Sequence, residues 1–385
     1  MSYEKKYLKY KQKYTALLPK QIGGTVEKVI IDTDPGIDDA IAILLALGDS
    51  RIEVLALTTV FGNFPDVRIL TNNALKILNL AEKKDIPVFE GASSPLIIPK
   101  NLKEYIETTM GAQSVKVHGD NGLANLQLDL GGLTKKAEFA ANAIIRLATE
   151  NPGQVTLIAL GPLTNLALAL MLCPTLPSLL KNVIIMGGAL FSPRDNPVNT
   201  SDANLGNAAT AAEANFFKDP FSAQKVLNAG FCRTNIFLIP LDLTTQTDYG
   251  KFGLTTTAPE VNPTDAQIAE ANIKTKPEGL NDGPITNFIA KSHHFYTNVY
   301  INKFKRGKVP FHDACAVFMA ISPSSFTTVP INVRVETKGE FTFGMTVIDH
   351  RPHLFPPNIT FCTTINSSHL NKALIDSINK LQSKL

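Results

Sequence analysis

Four aspartates crowd into one short segment, Val29-Ile-Ile-Asp-Thr-Asp-Pro-Gly-Ile-Asp-Asp-Ala40: Asp32, Asp34, Asp38 and Asp39. Like charges this close repel one another unless a cation gathers them. Donors that are all oxygen, with no Cys or His beside them, select a hard ion, Ca2+ or Mg2+, over zinc. The apolar run Val29–Asp32 reads as a buried strand. Pro35-Gly36 then turns the chain, and Asp38-Asp39 opens a helix over Asp39–Leu47, whose positive dipole end favours carboxylates. This order sets the carboxylates at the carboxyl end of a strand, where open α/β sheets bind ligands. A metal-free set of N-caps and Asx turns would explain one or two aspartates, not four.

The rest of the chain supplies elements able to hold such a site. Glu53–Thr58, Ile86–Phe89, Val155–Leu160, Val183–Met186 and Ile236–Leu241 read as further strands, with helical patterns at Ile69–Glu82 and Glu138–Thr149. Continuous apolar strands separated by helices predict an α/β fold: an open, mainly parallel sheet flanked by helices. Towards the C-terminus, Ile331–Glu336 and Glu340–Val347 alternate around Lys338-Gly339, predicting an antiparallel hairpin, and His369–Lys384 predicts a last amphipathic helix. Residues 192–205 and 248–284 read as long irregular loops, functional or disordered.

Composition narrows the function classes. With 44% hydrophobic and 18% charged residues the chain is not a disordered polymer, and no apolar run reaches the ~20 residues of a membrane span. The net charge of +3 hints at an anionic partner such as nucleic acid. Its distribution removes the hint. Lys5, Lys6, Lys9, Lys11, Lys13 and Lys20 face Glu4 alone within residues 1–24, so the rest of the chain is slightly acidic. The expectation is a flexible basic leader, 1–24, before a single domain, 25–385, with neither nucleic acid nor membrane as partner. Cys173, Cys232, Cys315 and Cys362 are scattered, which fits a reducing cytoplasm better than a disulfide scaffold.

Two enzyme classes suit the aspartate loop. Asp32-Thr33-Asp34 after a strand partly matches a haloacid-dehalogenase-type phosphatase, with Asp32 as nucleophile, but Pro35-Gly36 and Asp38-Asp39 follow where that pattern has other residues. The second match is closer. The segment Asp32–Ala40, Thr58-Thr-Val-Phe-Gly-Asn63, Leu160-Gly-Pro-Leu-Thr-Asn165, Ile185-Met-Gly-Gly188, the Asn…Glu-x-Asn spacing of Asn207, Glu213 and Asn215, Pro240-Leu-Asp-Leu-Thr244 and Phe311-His-Asp-Ala-Cys-Ala316 occur in order. Together they resemble the nucleoside hydrolases, the inosine-uridine-preferring ribonucleoside hydrolase family, over roughly residues 27 to 380.

That resemblance implies a Rossmann-like fold and Ca2+-dependent hydrolysis of the N-glycosidic bond of ribonucleosides to ribose and free nucleobase. It implies one Ca2+ held by the carboxylates of Asp34, Asp39 and Asp313 and the backbone carbonyl of Leu160. Asp38 would meet a ribose hydroxyl, Asn207, Glu213 and Asn215 the 3′- and 5′-hydroxyls, Asn63 would orient the metal site, and Asp32 would support it. Asp34 would be the base toward the attacking water, and His312 the general acid toward the leaving base, unless it only caps its helix. His118 falls near the base pocket of the family, and Met186 at a strand end could contact ribose. His293-His294 with Phe295, Tyr296 and Tyr300 could form a surface stripe or a lid over the base. The two long loops depart from the family, so base preference is not inherited. A homodimer or homotetramer is expected by the same analogy. The remaining alternatives are the phosphohydrolase and a catalytically silent nucleoside-binding protein on the same fold.

Overall fold

The computed structural model describes residues 26–98, 100, 117–190, 206–209, 211–231, 235–248, 278–300, 309–349, 351 and 355–385. The leader 1–24, the loop 192–205 and most of 248–284 lie outside the described residues.

Nine strands, β1 (Glu27–Thr33), β2 (Ile52–Thr59), β3 (Val88–Glu90), β4 (Val155–Ala159), β5 (Leu180–Met186), β6 (Ile236–Ile239), β7 (Phe326–Val335), β8 (Thr346–Asp349) and β9 (Ile359–Ile365), form one sheet in the order β3-β2-β1-β4-β5-β6-β9-β7-β8. Strands β1 to β6 and β9 pair in parallel. Strand β7 runs antiparallel to β9, and β8 antiparallel to β7. Strand order reverses between β1 and β4, so the crevice beyond their carboxyl ends is the switch point at which such sheets bind ligands.

Helices cover both faces, as a sheet buried on both sides requires. Helix α1 (Ile37–Gly48) is buried along its whole length. Its sequence, IDDAIAILLALG, is apolar all round apart from the two aspartates at its start, so it suits a central position rather than a surface one. Helices α2 (Val67–Leu80), capped by Asp66 accepting from the Arg68 amide at 2.9 Å, and α3 (Ala140–Glu150) flank the β3 side of the sheet. Next come α4 (Thr164–Leu172), α5 (Leu176–Leu179), α6 (Ala214–Lys218), α7 (Pro220–Leu227), α8 (Leu241–Thr244), α9 (Pro284–Asn298), α10 (His312–Ile321) and α11 (Ser367–Gln382). Helices α10 and α11 pack over α1.

The structure corrects several boundaries. The expected strand 236–241 stops at Ile239, because Pro240 cannot donate to the ladder and begins α8 instead. The C-terminal hairpin forms, with Val335 opposite Thr346, but most of Glu340–Val347 is turn rather than strand. Gly344 sits at φ +79°, a left-handed conformation that ends the alternation. The sequence reading did not foresee β9 at all, although it joins the antiparallel pair to the parallel sheet.

Candidate active site

The carboxyl ends of β1, β2, β4 and β5 converge on the aspartate loop. Asp32, Asp34, Asp38, Asp39 and Asp313 are all buried, the last brought in at the first turn of α10. One carboxylate oxygen from each of Asp38, Asp39 and Asp313 falls within a single 4.8 Å group. Three oxygens of these carboxylates, Asp32 Oδ2, Asp34 Oδ1 and Asp38 Oδ1, are buried without a hydrogen-bond partner. Buried polar atoms are nearly always paired, so orphan carboxylate oxygens beside a set of oxygen donors fit a hard divalent cation.

Each carboxylate is held differently. Asp39 accepts from the Thr33 hydroxyl, from the backbone N–H of Asp34 (3.3 Å) and Gly36 (3.0 Å), and from Asn63 Nδ2 (2.9 Å). Asp34 Oδ2 accepts from the Asn63 N–H at 2.7 Å and forms an ion pair with Lys218 Nζ at 3.6 Å. A Cβ added at Gly62 would lie 1.9 Å from that same oxygen, so only glycine lets the β2 loop approach this closely. Asp32 Oδ1 accepts from Thr58 Oγ1 (2.6 Å) and Asn165 Nδ2 (2.8 Å). Burial pushes the Asp32 carboxyl up to about 6 against those two donors. Burial likewise raises Asp34, with repulsion from Asp39 adding to it and Lys218 opposing, and raises Asp38 and Asp313. Carboxylates in this state bind either protons or a cation.

On one flank, the Tyr296 hydroxyl donates to Asp38 Oδ2 at 3.3 Å, and its ring stacks on His118 with centroids 5.8 Å apart. His118 Nδ1 accepts from the Ile37 N–H at 3.2 Å, and burial holds this imidazole down to about 4, so it is neutral at physiological pH. His312 makes hydrogen bonds through both ring nitrogens: Nδ1 with Thr244 Oγ1 (2.8 Å) and Nε2 with the Tyr300 hydroxyl (3.0 Å). Tyr300 in turn lies 3.4 Å from the Tyr296 hydroxyl, so a continuous polar chain runs from Thr244 through His312 to Asp38.

On the other flank, Asn215 Nδ2 donates to the carbonyls of Leu160 (2.7 Å) and Met186 (3.1 Å) and ties together the ends of β4 and β5. Glu213 accepts from three backbone amides, those of Asn215 (2.8 Å), Phe216 (3.1 Å) and Gly188 (3.0 Å). Asn207 stands apart. It is exposed, and its Oδ1 accepts from the Ala214 N–H at 2.8 Å.

The structure therefore brings together Asp34, Asp38, Asp39, Asn63, His118 and Asp313, with Leu160, Met186, Glu213 and Asn215 beside them and His312 behind Tyr300. It corrects one reading of the aromatic segment on and just after α9: His293, Phe295, Tyr296 and Tyr300 are buried, so they form no surface stripe. Sequence reasoning missed two residues. Asn165, although within a recognised motif, joins Asp32, the Thr59 carbonyl and the Ala92 amide. Lys218 lies one helical turn after Asn215, and that spacing was the available signal.

With this geometry in place, comparison with known proteins decides the family. The model of the inosine-uridine preferring nucleoside hydrolases matches residues 29–372. The chain belongs to that family. It is 35% identical to uridine nucleosidase 1 of Arabidopsis thaliana, over 85% of this chain and 83% of the relative. It is also 35% identical to the inosine-uridine preferring nucleoside hydrolase of Leishmania major, over 84% of this chain and 88% of that protein. Among solved structures, the purine-preferring ribonucleoside hydrolase from Gardnerella vaginalis superposes with a TM-score of 0.74 at 26% identity, covering 93% of this chain and all of that one. No helix among the described residues is long and apolar enough to cross a membrane.

Proposed function

We propose that this nucleoside hydrolase cleaves the N-glycosidic bond of ribonucleosides, inosine and uridine among them, with one Ca2+ at the aspartate cluster. Membership of the family supports hydrolysis of N-glycosyl bonds in ribonucleosides. The observation that carries the finer reading is the meeting of Asp38, Asp39 and Asp313 at the switch point of the sheet, with unpartnered carboxylate oxygens on Asp34 and Asp38.

Asp34, Asp39, Asp313 and the Leu160 carbonyl would hold the ion, with Asp38 at its edge toward the ribose. Bound there, Ca2+ supplies charge that neutralises the carboxylates and acidifies an adjacent water. The remaining chemistry belongs to the chain. Asp34 Oδ2 is committed to Asn63 and Lys218, which leaves Oδ1 to take a proton from the attacking water. Breaking the N-glycosidic bond develops positive charge on the ribosyl ring, and the surrounding carboxylates stabilise it. The departing base needs a proton, and the His312–Tyr300 pair is the polar chain able to deliver one. Asn215, Glu213 and Met186 line the side where ribose hydroxyls would lie.

A product assay over a panel of purine and pyrimidine ribonucleosides, with Ca2+ and with EDTA, tests this reading. Release of ribose and base is expected, lost in EDTA and in Asp34→Ala. Turnover that survives complete metal removal would refute the metal's role. Phosphohydrolysis through Asp32 is disfavoured because that carboxylate is fully buried and its Oδ1 is engaged by Thr58 and Asn165. Substrate binding without turnover in saturating Ca2+ would support the silent-binder alternative. Assembly as a homodimer or homotetramer is read by light scattering.

A further inference from the structure

Asp32, Asp34, Asp38, Asp39, Glu213 and Asp313 place six buried carboxylates at one end of the sheet. His118 stands among them without charge at neutral pH. One ammonium group enters the cluster. The Lys218 side chain is 6% exposed and its partner Asp34 1% exposed, and among the described residues this is the one Lys or Arg ion pair with both partners so deeply buried.

Placing that lysine is costly, because a flexible stem must be fixed and a strongly hydrated charge taken out of water. The local fold commits to it. Lys218 ends α6, and the next residue, Asp219, is fully buried and pins the backbone. Asp219 accepts from Thr164 Oγ1 (2.7 Å), the Leu96 N–H (2.9 Å), and the Ser222 hydroxyl (2.6 Å) and N–H (3.0 Å). From this anchor Nζ reaches two groups, Asp34 Oδ2 at 3.6 Å and Asn63 Oδ1 at 3.4 Å. Donation to Asn63 Oδ1 fixes the amide so that its Nδ2 points at Asp39 Oδ2. Pairing with Asp34 Oδ2 leaves Oδ1 as the oxygen without a partner. One ammonium thus sets the orientation of two carboxylates. It also repels any second cation drawn to the same cluster.

We propose that Lys218 is the resident counter-cation of this site: a positioning residue that holds Asp34 and Asn63 in place before the metal arrives and, through its own charge, weakens the metal's binding. The proposal rests on the reading of the aspartate cluster as a divalent-cation site.

Full-length wild type, Lys218→Met and Lys218→Arg are compared by calorimetric titration with CaCl2 and by thermal melts in EDTA and in saturating Ca2+. The EDTA-treated wild type melts cooperatively. Lys218→Met melts lower in EDTA and recovers in Ca2+, and it binds Ca2+ about tenfold tighter or more, since one repulsive charge is gone. Lys218→Arg keeps an affinity close to wild type. A merely structural lysine would give the opposite sign, because a disordered site binds the ion more weakly. Unchanged or weaker Ca2+ binding in Lys218→Met overturns the proposal, as does a wild type that unfolds in EDTA. If Lys218→Met does not fold even in Ca2+, Lys218→Gln replaces it. Failure of both to fold in Ca2+ also overturns the proposal, because the ion should make good the lost charge. If neither wild type nor a folded Lys218 variant binds Ca2+, the cation-site reading itself falls. Wild-type binding without tightening in the variant removes only the role of Lys218.

Discussion

Replacing Asn165 by aspartate exchanges one NH2 group for one oxygen, and the structure sets the cost. Asn165 Nδ2 donates to Asp32 Oδ1 at 2.8 Å and to the Thr59 carbonyl at 3.0 Å, while its Oδ1 accepts from the Ala92 N–H at 2.9 Å. The residue is fully buried, so water cannot replace a lost partner. In Asn165→Asp the acceptor survives, but the donor is gone unless the new carboxyl keeps a proton. An ionised form would face a carboxylate and a carbonyl at those distances. The folded protein therefore binds one proton that the unfolded chain, with an ordinary carboxyl pKa near 4, releases. Keeping it costs about 1.4 kcal/mol for each pH unit above that value, or about 5 kcal/mol near pH 7.5. The new group's folded pKa is raised above its unfolded value. Its penalty is therefore absent at low pH and grows as pH rises toward the folded value. Domains hold roughly 5–15 kcal/mol in total, so the variant is expected to fold near pH 6.5 and to be severely weakened near pH 8. Urea unfolding followed by circular dichroism at several pH values, in EDTA, reads this against wild type. A stability difference that does not change with pH, or one below about 1 kcal/mol, would refute the contacts assigned to Asn165.

Four further outcomes follow from the same geometry. His312→Gln is expected to lower kcat/KM on nucleosides by about 10²–10⁴, the usual worth of a general acid, and Tyr300→Phe to lower it less but measurably; wild-type activity in Tyr300→Phe would break the proposed proton path. Burial holds His293 neutral, down to about 3, so its stabilising contribution is complete above its unfolded pKa of about 6.5 and falls as pH drops toward 3; the advantage of wild type over His293→Asn should shrink by about 2 kcal/mol between pH 7.5 and 5 in urea titrations. Gly62→Ala drives a Cβ against Asp34 Oδ2, so nucleoside hydrolysis is expected to collapse while far-UV circular dichroism stays native, and an active variant would contradict the close approach. Asp32→Asn keeps the acceptor for Thr58 and Asn165 and is expected to retain hydrolysis to within about tenfold, whereas an aspartyl-phosphate mechanism would lose all turnover.

Legibility from sequence tracked how local each signal was. Strand β1, the turn at Pro35-Gly36 and α1 were readable because apolar run, breaker and acidic helix start are adjacent in the chain. Strand β9 was not, because Thr360, Thr363 and Thr364 dilute its apolar residues and its neighbours β6 and β7 are remote in sequence. The alternation of Glu340–Val347 looked like a strand, yet Phe341 is 82% exposed and the chain turns there. Tyr296 and Tyr300 were noticed as a stripe but not as partners of Asp38 and His312, since helical spacing reveals a face and not what covers it. Lys218 was hidden by its type, because lysines are seldom buried.

The five acidic residues of the cluster are not equivalent, and their hydrogen bonds explain why one loop can carry several roles. Asp39 accepts from four donors, which suits a fixed ligand. Asp32 Oδ1 is held by Thr58 and Asn165, which suits support, while its Oδ2 is buried without a partner. Asp34 and Asp38 each keep one unpartnered oxygen, and their other oxygens are braced by Asn63 and Lys218 in one case and Tyr296 in the other. Asp313 arrives from α10, next to His312, so the residue that closes the cluster adjoins the start of the proposed proton path. A base must have a free oxygen and a ligand must have a fixed one. Under the proposed reading Asp34 and Asp38 would meet water and ribose, and in the order Asp-Thr-Asp-Pro-Gly-Ile-Asp-Asp these two lie between Asp32 and Asp39.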